Sequence, residues 1–137
     1  MRNKYLIDAN IFLHLYLEQG EESACRDLLN ALDEGEIDAK TTLFHLDAAA
    51  IVMERDGMNQ REIAEFYARV YQSQGIDVVL LGIKGRLNSL ATDKQTGLDD
   101  SLIEQAMKEL NLDKVITYDA DFEEQIRTTP EQVLRQD

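Results

Sequence analysis

Short apolar runs alternate with stretches of helical period along this chain. Tyr5-Leu6-Ile7 is apolar and is cut off by Asp8 and Asn10, so residues 3–8 read as a buried strand ending on a carboxylate and an amide. From Ile11 to about Gly20, Ile11 with Leu15 and Phe12 with Tyr16 repeat at i, i+4, which predicts a helix that Gly20 stops. Glu21-Glu22-Ser23 open a second helix, with Ala24, Leu28, Ala31 and Leu32 on its face and Gly35 at its end. Ile37 to Thr41 reads as a short strand. Thr41 or Thr42 then caps a helix from Leu43 to about Asp56, and Gly57 ends it. Asn59 caps the next, Gln60 to about Gln74. Asp77-Val78-Val79-Leu80-Leu81 predicts a buried strand. The polar segment from Gly82 to Gly97 carries Ile83, Leu87 and Leu90 at the spacing of a short helix. Leu98 to Leu110 is a strong helix, striped by Leu102, Ile103, Ala106 and Met107. Lys114 to Thr117 is a strand, and Thr129-Pro130 open a terminal helix, Pro suiting its first position.

Strands alternating with helices predict an α/β fold: one domain over residues 1–137, a central parallel sheet flanked by helices on both faces. At 137 residues the chain is long enough to bury a core, and 44% hydrophobic with 30% charged residues is ordinary for a globular protein. No run approaches the roughly 18 apolar residues of a membrane span. The N-terminal apolar run is broken by Asp8 and Asn10, unlike a signal peptide. Cys25 is the one cysteine, which excludes an intramolecular disulfide and a cysteine-built metal site. A cytoplasmic protein is expected. The net charge of −13 is unlike the basic footprint of most nucleic-acid binders. It suits a solubility device, an acidic metal-binding cleft or a basic partner, and composition does not choose among them.

Four acids stand at element junctions. Asp8 and Asp119 end apolar strands, Asp100 opens a helix beside Asp99, and Asp47 lies early in the helix after the short strand. Strands of one parallel sheet deliver such residues to one edge, where α/β proteins place their chemistry. Carboxylates gathered there repel unless a cation neutralises them, and Mg²⁺ or Mn²⁺ is the usual answer. Each acid also has an ordinary reading: a strand-end turn for Asp8, Asp119 and Asp121, a cap or first-turn acid for Asp99 or Asp100, a solvated surface for Asp47. The joint pattern outweighs its members.

Leu6-Ile7-Asp8-Ala9-Asn10, Leu98-Asp99-Asp100-Ser101-Leu102-Ile103 and Ile116-Thr117-Tyr118-Asp119-Ala120-Asp121-Phe122, in that order, resemble the PIN-domain family across essentially the whole chain. The resemblance implies a parallel sheet flanked by helices and an acidic Mg²⁺ or Mn²⁺ site that hydrolyses single-stranded RNA. Many small members are VapC-type toxins of toxin–antitoxin pairs. By resemblance Asp8, Asp100 and Asp119 are the metal-binding acids, Asn10 and Thr117 their polar supports, and Asp99 and Asp121 assisting residues. The family's second acid is a glutamate early in the helix after the second strand. Here that place falls on Asp47 or on Ala48, and Asp47 is the expected catalytic residue. An antitoxin setting a basic residue into the acidic cleft is the partner implied.

Lys84, Arg86 and Lys94 precede the third acid and are candidates to hold RNA phosphates, or simply loop-solubilising cations. His14 and His45 are discounted as general bases: His14 lies in an apolar helical stretch, and His45 has no evident partner. The Phe12, Leu13, Tyr16 and Leu17 neighbourhood suggests a homodimer surface, or else a helix buried in its own core. Three rivals remain. A haloacid-dehalogenase-type phosphatase needs an aspartate where Asn10 stands, and a receiver domain needs its acid pair directly after the first strand. A PIN-like module without its second acid, catalytically silent and serving binding or assembly, is the stronger alternative.

Overall fold

The computed structural model describes residues 3–91 and 97–136. Five parallel strands run in the order β3-β2-β1-β4-β5: β1 Tyr5–Ile7, β2 Ala39–Thr42, β3 Ile76–Val79, β4 Lys114–Ile116 and β5 Arg127–Thr128. Parallel neighbours need crossovers, and helices supply them. They are α1 (Ala9–Tyr16), α2 (Glu22–Asp33), α3 (Leu43–Arg55), α4 (Gln60–Gln72), α5 (Ile83–Leu90), α6 (Leu98–Leu110) and α7 (Pro130–Gln136), with a short 3₁₀ turn at Glu124–Ile126. The expected architecture is present. Among the described residues no helix is long and apolar enough to cross a membrane.

Side chains alternate across β1, and that alternation divides the interior. Tyr5 and Ile7 join the larger core with Ile11, Phe12, Leu28, Leu32, Leu46, Met53, Phe66 and Val133. Leu6 points the other way, to Leu102, Ile103, Ala106, Met107, Val115 and Phe122. One sheet face is thus covered by α1 to α4 and α7, the other mainly by α6. Phe12 and Tyr16 meet Phe66 edge-on, with ring centroids 5.4 and 5.3 Å apart.

One expectation needs correcting. Residues 77–81 do not form a buried strand: β3 is the sheet's edge, Val78 is 37% and Leu80 76% exposed, and Leu81 alone of the run is buried. An edge strand has a neighbour on one side only, and the apolar run did not reveal that. Of the two readings of the α1 neighbourhood, the structure follows the helix packed in its own core. Phe12 is fully buried, and Leu13, Tyr16 and Leu17 pack on the larger core. The two-residue β5 and the 3₁₀ turn were not anticipated, being too short to leave a period.

Gly75 shows how closely the layers approach. A Cβ there would stand 2.4 Å from the Leu32 carbonyl oxygen and 2.5 Å from that of Ile37, both backbone atoms that cannot swing aside. Gly57 has open space but a φ of +105°. Gly75→Ala is therefore expected to cost about 2–3 kcal/mol and Gly57→Ala about 1 kcal/mol in urea unfolding. Equal losses would show that the steric contact at Gly75 is not the governing constraint.

Candidate active site

The strand order turns about β1 and β4: β1 connects outward through β2 to β3, and β4 to β5 on the other side. The crevice beyond the C-terminal ends of two such strands is where open α/β sheets take ligands. Ile7 pairs with Ile116, so Asp8 and Thr117 leave the sheet side by side, and Asp8 N–H continues the ladder to the Ile116 carbonyl at 3.1 Å.

The Thr117 hydroxyl ties this edge together. It donates to Asp8 Oδ2 at 2.8 Å and accepts from Asn10 Nδ2 at 3.1 Å and from the Asp119 backbone N–H at 2.9 Å. One donor and two lone pairs are all a hydroxyl has, and all are used. Asp119 Oδ1 accepts from the Asp121 N–H at 2.9 Å, which curls the loop after β4. Arg127 on β5 holds that loop from behind, Nη1 donating to the carbonyls of Ala120 (2.7 Å) and Phe122 (2.9 Å). From the third stretch, α6 opens with Asp99 and Asp100 in its first turn, Asp99 Oδ1 accepting the Asp100 N–H at 3.0 Å.

These acids feel one another. Burial pushes the Asp8 carboxyl up to about 6; the Thr117 hydroxyl and the Ala9 amide oppose this, and Asp119 and Asp99 add to it. Asp100 is pushed up to about 7, first by burial and then by Asp99, Asp119, Asp8 and Asp121. Asp8, Asp99, Asp100, Asp119 and Asp121 thus lie within electrostatic reach of one another. Yet among the described residues no three His, Cys, Asp or Glu side chains stand as a ready-made ion cage.

Asp47 is not drawn in, contrary to expectation. It is exposed on α3, and its Oδ1 accepts from Tyr67 OH of α4 at 2.6 Å. The α3 side chain that faces the acids is His45, 1% exposed, whose Nε2 lies 3.1 Å from the Asp99 carbonyl and whose Nδ1 meets the Thr42 hydroxyl. Residues two apart lie about 200° apart around a helix, so His45 and Asp47 cannot share a face. The missed signal was local. Thr42 is the N-cap, its Oγ1 accepting the His45 N–H at 3.0 Å, and the third residue after a Thr cap turns back toward that cap. Burial lowers the His45 pKa against the opposing pull of the Asp99 carbonyl and carboxylate, which favours the neutral ring. His14 packs edge-on against Tyr118 at 4.9 Å, and its buried Nδ1 has no partner among the described residues. It is not among the groups acting on Asp8 or Asp100.

The basic candidates divide. Lys84 is exposed on α5, while half-buried Arg86 folds its Nη1 onto the Leu81 carbonyl within its own segment. Lys94 lies outside the described residues.

An open parallel α/β sheet with carboxylates from three stretches of chain at its switch point defines the class. Within that class the PIN-domain model matches residues 5–126, and the chain belongs to the PIN-domain family. Among solved structures it is similar to Mycobacterium tuberculosis VapC20, a sarcin–ricin-loop-cleaving toxin: TM-score 0.69, 12% identity, covering 85% of this chain and 91% of that one. It is also similar to a chain of a toxin–antitoxin complex from Klebsiella pneumoniae, with TM-score 0.62 and 18% identity over 92% of this chain and 97% of that one. Comparison with curated proteins gave no match.

A buried acid with a raised folded pKa carries a definite sign. Between about pH 4, where the unfolded Asp8 titrates, and about pH 6, the folded chain holds more protons. Stability of the metal-free protein therefore falls as pH rises through that window. Asp8→Asn removes the charge, so its melting temperature should exceed the wild type's by several degrees at pH 7.5, and the gap should close toward pH 4. Parallel curves for the two proteins would refute the burial argument.

Proposed function

We propose that this chain is a divalent-metal-dependent endoribonuclease that hydrolyses phosphodiester bonds of single-stranded RNA, and that it is the toxin of a toxin–antitoxin pair. The observation that supports the reading is that Asp8 and Asp119 follow the C-terminal ends of β1 and β4 while Asp100, from a distant stretch of chain, lies within electrostatic reach of both. Membership of the PIN family and the likeness to a toxin that cleaves the sarcin–ricin loop support it. The donor set is all oxygen, which suits a hard cation such as Mg²⁺ or Mn²⁺. Asn10 Oδ1, buried without a partner among the described residues, sits in the same network as a further oxygen.

Asp8, Asp100 and Asp119 would hold one or two ions, with Asp99 and Asp121 deepening the negative field. When bound, the ion supplies an activated water and neutralises charge developing on the phosphodiester during in-line attack. The protein's own part is orientation. Thr117 fixes the Asp8 carboxylate through one oxygen and, through its amide contact, sets the start of the Asp119 loop. Asn10 saturates the second lone pair of that hydroxyl, so the Thr117 proton can point only at Asp8. Lys84, exposed on α5, is the candidate phosphate contact, and Arg86 is secondary because one of its donors serves the backbone.

Purified protein with labelled single-stranded RNA and Mn²⁺ should cleave, stop in EDTA, and lose about a hundredfold or more of its rate on Asp8→Asn. Intact RNA under Mg²⁺ and Mn²⁺ alike would instead favour the silent binding or assembly module. That rival draws on the lack of a ready-made ion cage among the described residues and on Asp47 standing apart.

The partner reading is an antitoxin, supported by the Klebsiella complex and by a net charge of −13 that a basic segment would complement. A homodimer belongs to the same reading, with its surface moved to α5. There Ile83, Leu87 and Leu90 are 74%, 63% and 60% exposed, an apolar stripe that a second copy would cover with Lys84 left at its rim. Leu87→Glu should convert a sedimenting dimer into a monomer; a wild-type monomer at micromolar concentration would remove the dimer.

A further inference from the structure

We infer that His45 is a positioning residue of this site, one that fixes the first turn of α6, and with it Asp99 and Asp100, against the β2–α3 junction. The inference rests on the metal-site reading above. Its geometry is specific. Thr42 ends β2 and caps α3, and its hydroxyl oxygen accepts the His45 N–H at 3.0 Å. The same hydroxyl meets Nδ1 of the His45 ring, while Nε2 lies 3.1 Å from the Asp99 carbonyl, 54 residues along the chain. A carbonyl only accepts, so Nε2 carries a proton; in the neutral ring Nδ1 then accepts, and the Thr42 hydroxyl donates to it. The relay runs in one sense, Thr42 O–H to His45 and His45 N–H to Asp99.

α6 needs such a brace. Its N-cap is Gly97, in the left-handed region at φ +89°, and among the described residues no side chain caps the helix. The Asp99 carboxylate is engaged with the neighbouring Asp100 N–H, which does not tie the turn to the rest of the protein. His45 does so. It is 1% exposed, wedged edge-on against Phe44 with ring centroids 5.2 Å apart, and thus has no freedom to swing. A neutral donor also suits its surroundings: a carboxylate reaching from this point of α3 would add to the repulsion on Asp100, whereas the imidazole orients the turn without adding negative charge. Outer groups that orient metal-binding side chains are worth about ten- to a hundredfold in affinity.

The test compares wild type, His45→Gln and His45→Phe by Mn²⁺ titration calorimetry, by amide NMR spectra without metal, and by the ¹⁵N shifts of the wild-type ring. We expect a ring protonated on Nε2 alone. His45→Phe should weaken Mn²⁺ binding about tenfold and move the Asp99 and Asp100 amides, and His45→Gln, whose side-chain N–H can reach the same carbonyl, should recover most of the loss. A ring protonated on Nδ1, or a His45→Phe protein that binds Mn²⁺ like wild type with those amides unmoved, overturns the inference. Should His45→Phe not fold, the ring tautomer and the His45→Gln comparison decide it. A wild-type protein that takes up no Mn²⁺ would sink the metal reading instead. The ring tautomer and the metal-free amide shifts would then still decide whether His45 braces α6.

Discussion

The hydroxyl of Thr117 is the contact on which the rest of this site depends. Parallel pairing brings Asp8 and Thr117 level at the end of β1 and β4, but pairing alone would leave a buried carboxylate facing a backbone turn. The Thr117 proton gives that carboxylate a donor, and the two lone pairs take Asn10 and the Asp119 amide, so one atom joins three elements of the site. Valine would fit the space and break all three contacts. The loop that follows has a second anchor in Arg127, whose guanidinium gathers two carbonyls that no helix or strand satisfies. Site and sheet are in this sense one construction: the ladder sets the level, and the side chains fix the direction.

That construction works against stability. Asp8 and Asp100 sit where burial and neighbouring acids disfavour their charged forms. A chain selected for stability alone would replace them with amides. Their presence at the switch point, with Asp99, Asp119 and Asp121 close enough to be felt, is the kind of local conflict that functional sites carry and cores do not. The two hydrophobic layers, anchored by the fully buried Leu6 and Ile7, provide the rigidity against which such a conflict can be held.

Much of this was legible in the sequence, for reasons that can be named. The α6 boundaries, Leu98 to Leu110, follow from a complete apolar stripe, and the ends of β1 and β4 from apolar runs broken by polar residues. Asp8, Asp100 and Asp119 were visible because they interrupt or open those elements. The edge position of β3 was hidden, since Val78, Val79, Leu80 and Leu81 are as apolar as a central strand and only the pairing order shows that one side is open. The second acid, sought at Asp47 or Ala48, was misjudged at Asp47 for a rotational reason. The acid was sought by chemical type, and the helix put that type on the Tyr67 side, while the cap at Thr42 turned a histidine toward Asp99.

The acidity of the chain bears on the proposed reaction through a simple balance. An RNA backbone approaching a protein of net charge −13 meets repulsion, and on the proposed reading the scissile phosphate would have to approach the five aspartates. Among the described basic residues, Lys84 is exposed on α5, while Arg86 and Arg127 direct N–H groups at carbonyls of the fold. Side-chain cations of this number cannot reverse such a field. On the proposed reading, the charge that reverses it must arrive with the divalent ion, so binding of metal and acceptance of substrate are coupled by electrostatics before any chemistry begins. The same balance gives a basic segment of a partner a route to silence the site, since it can neutralise the aspartates without supplying an activated water.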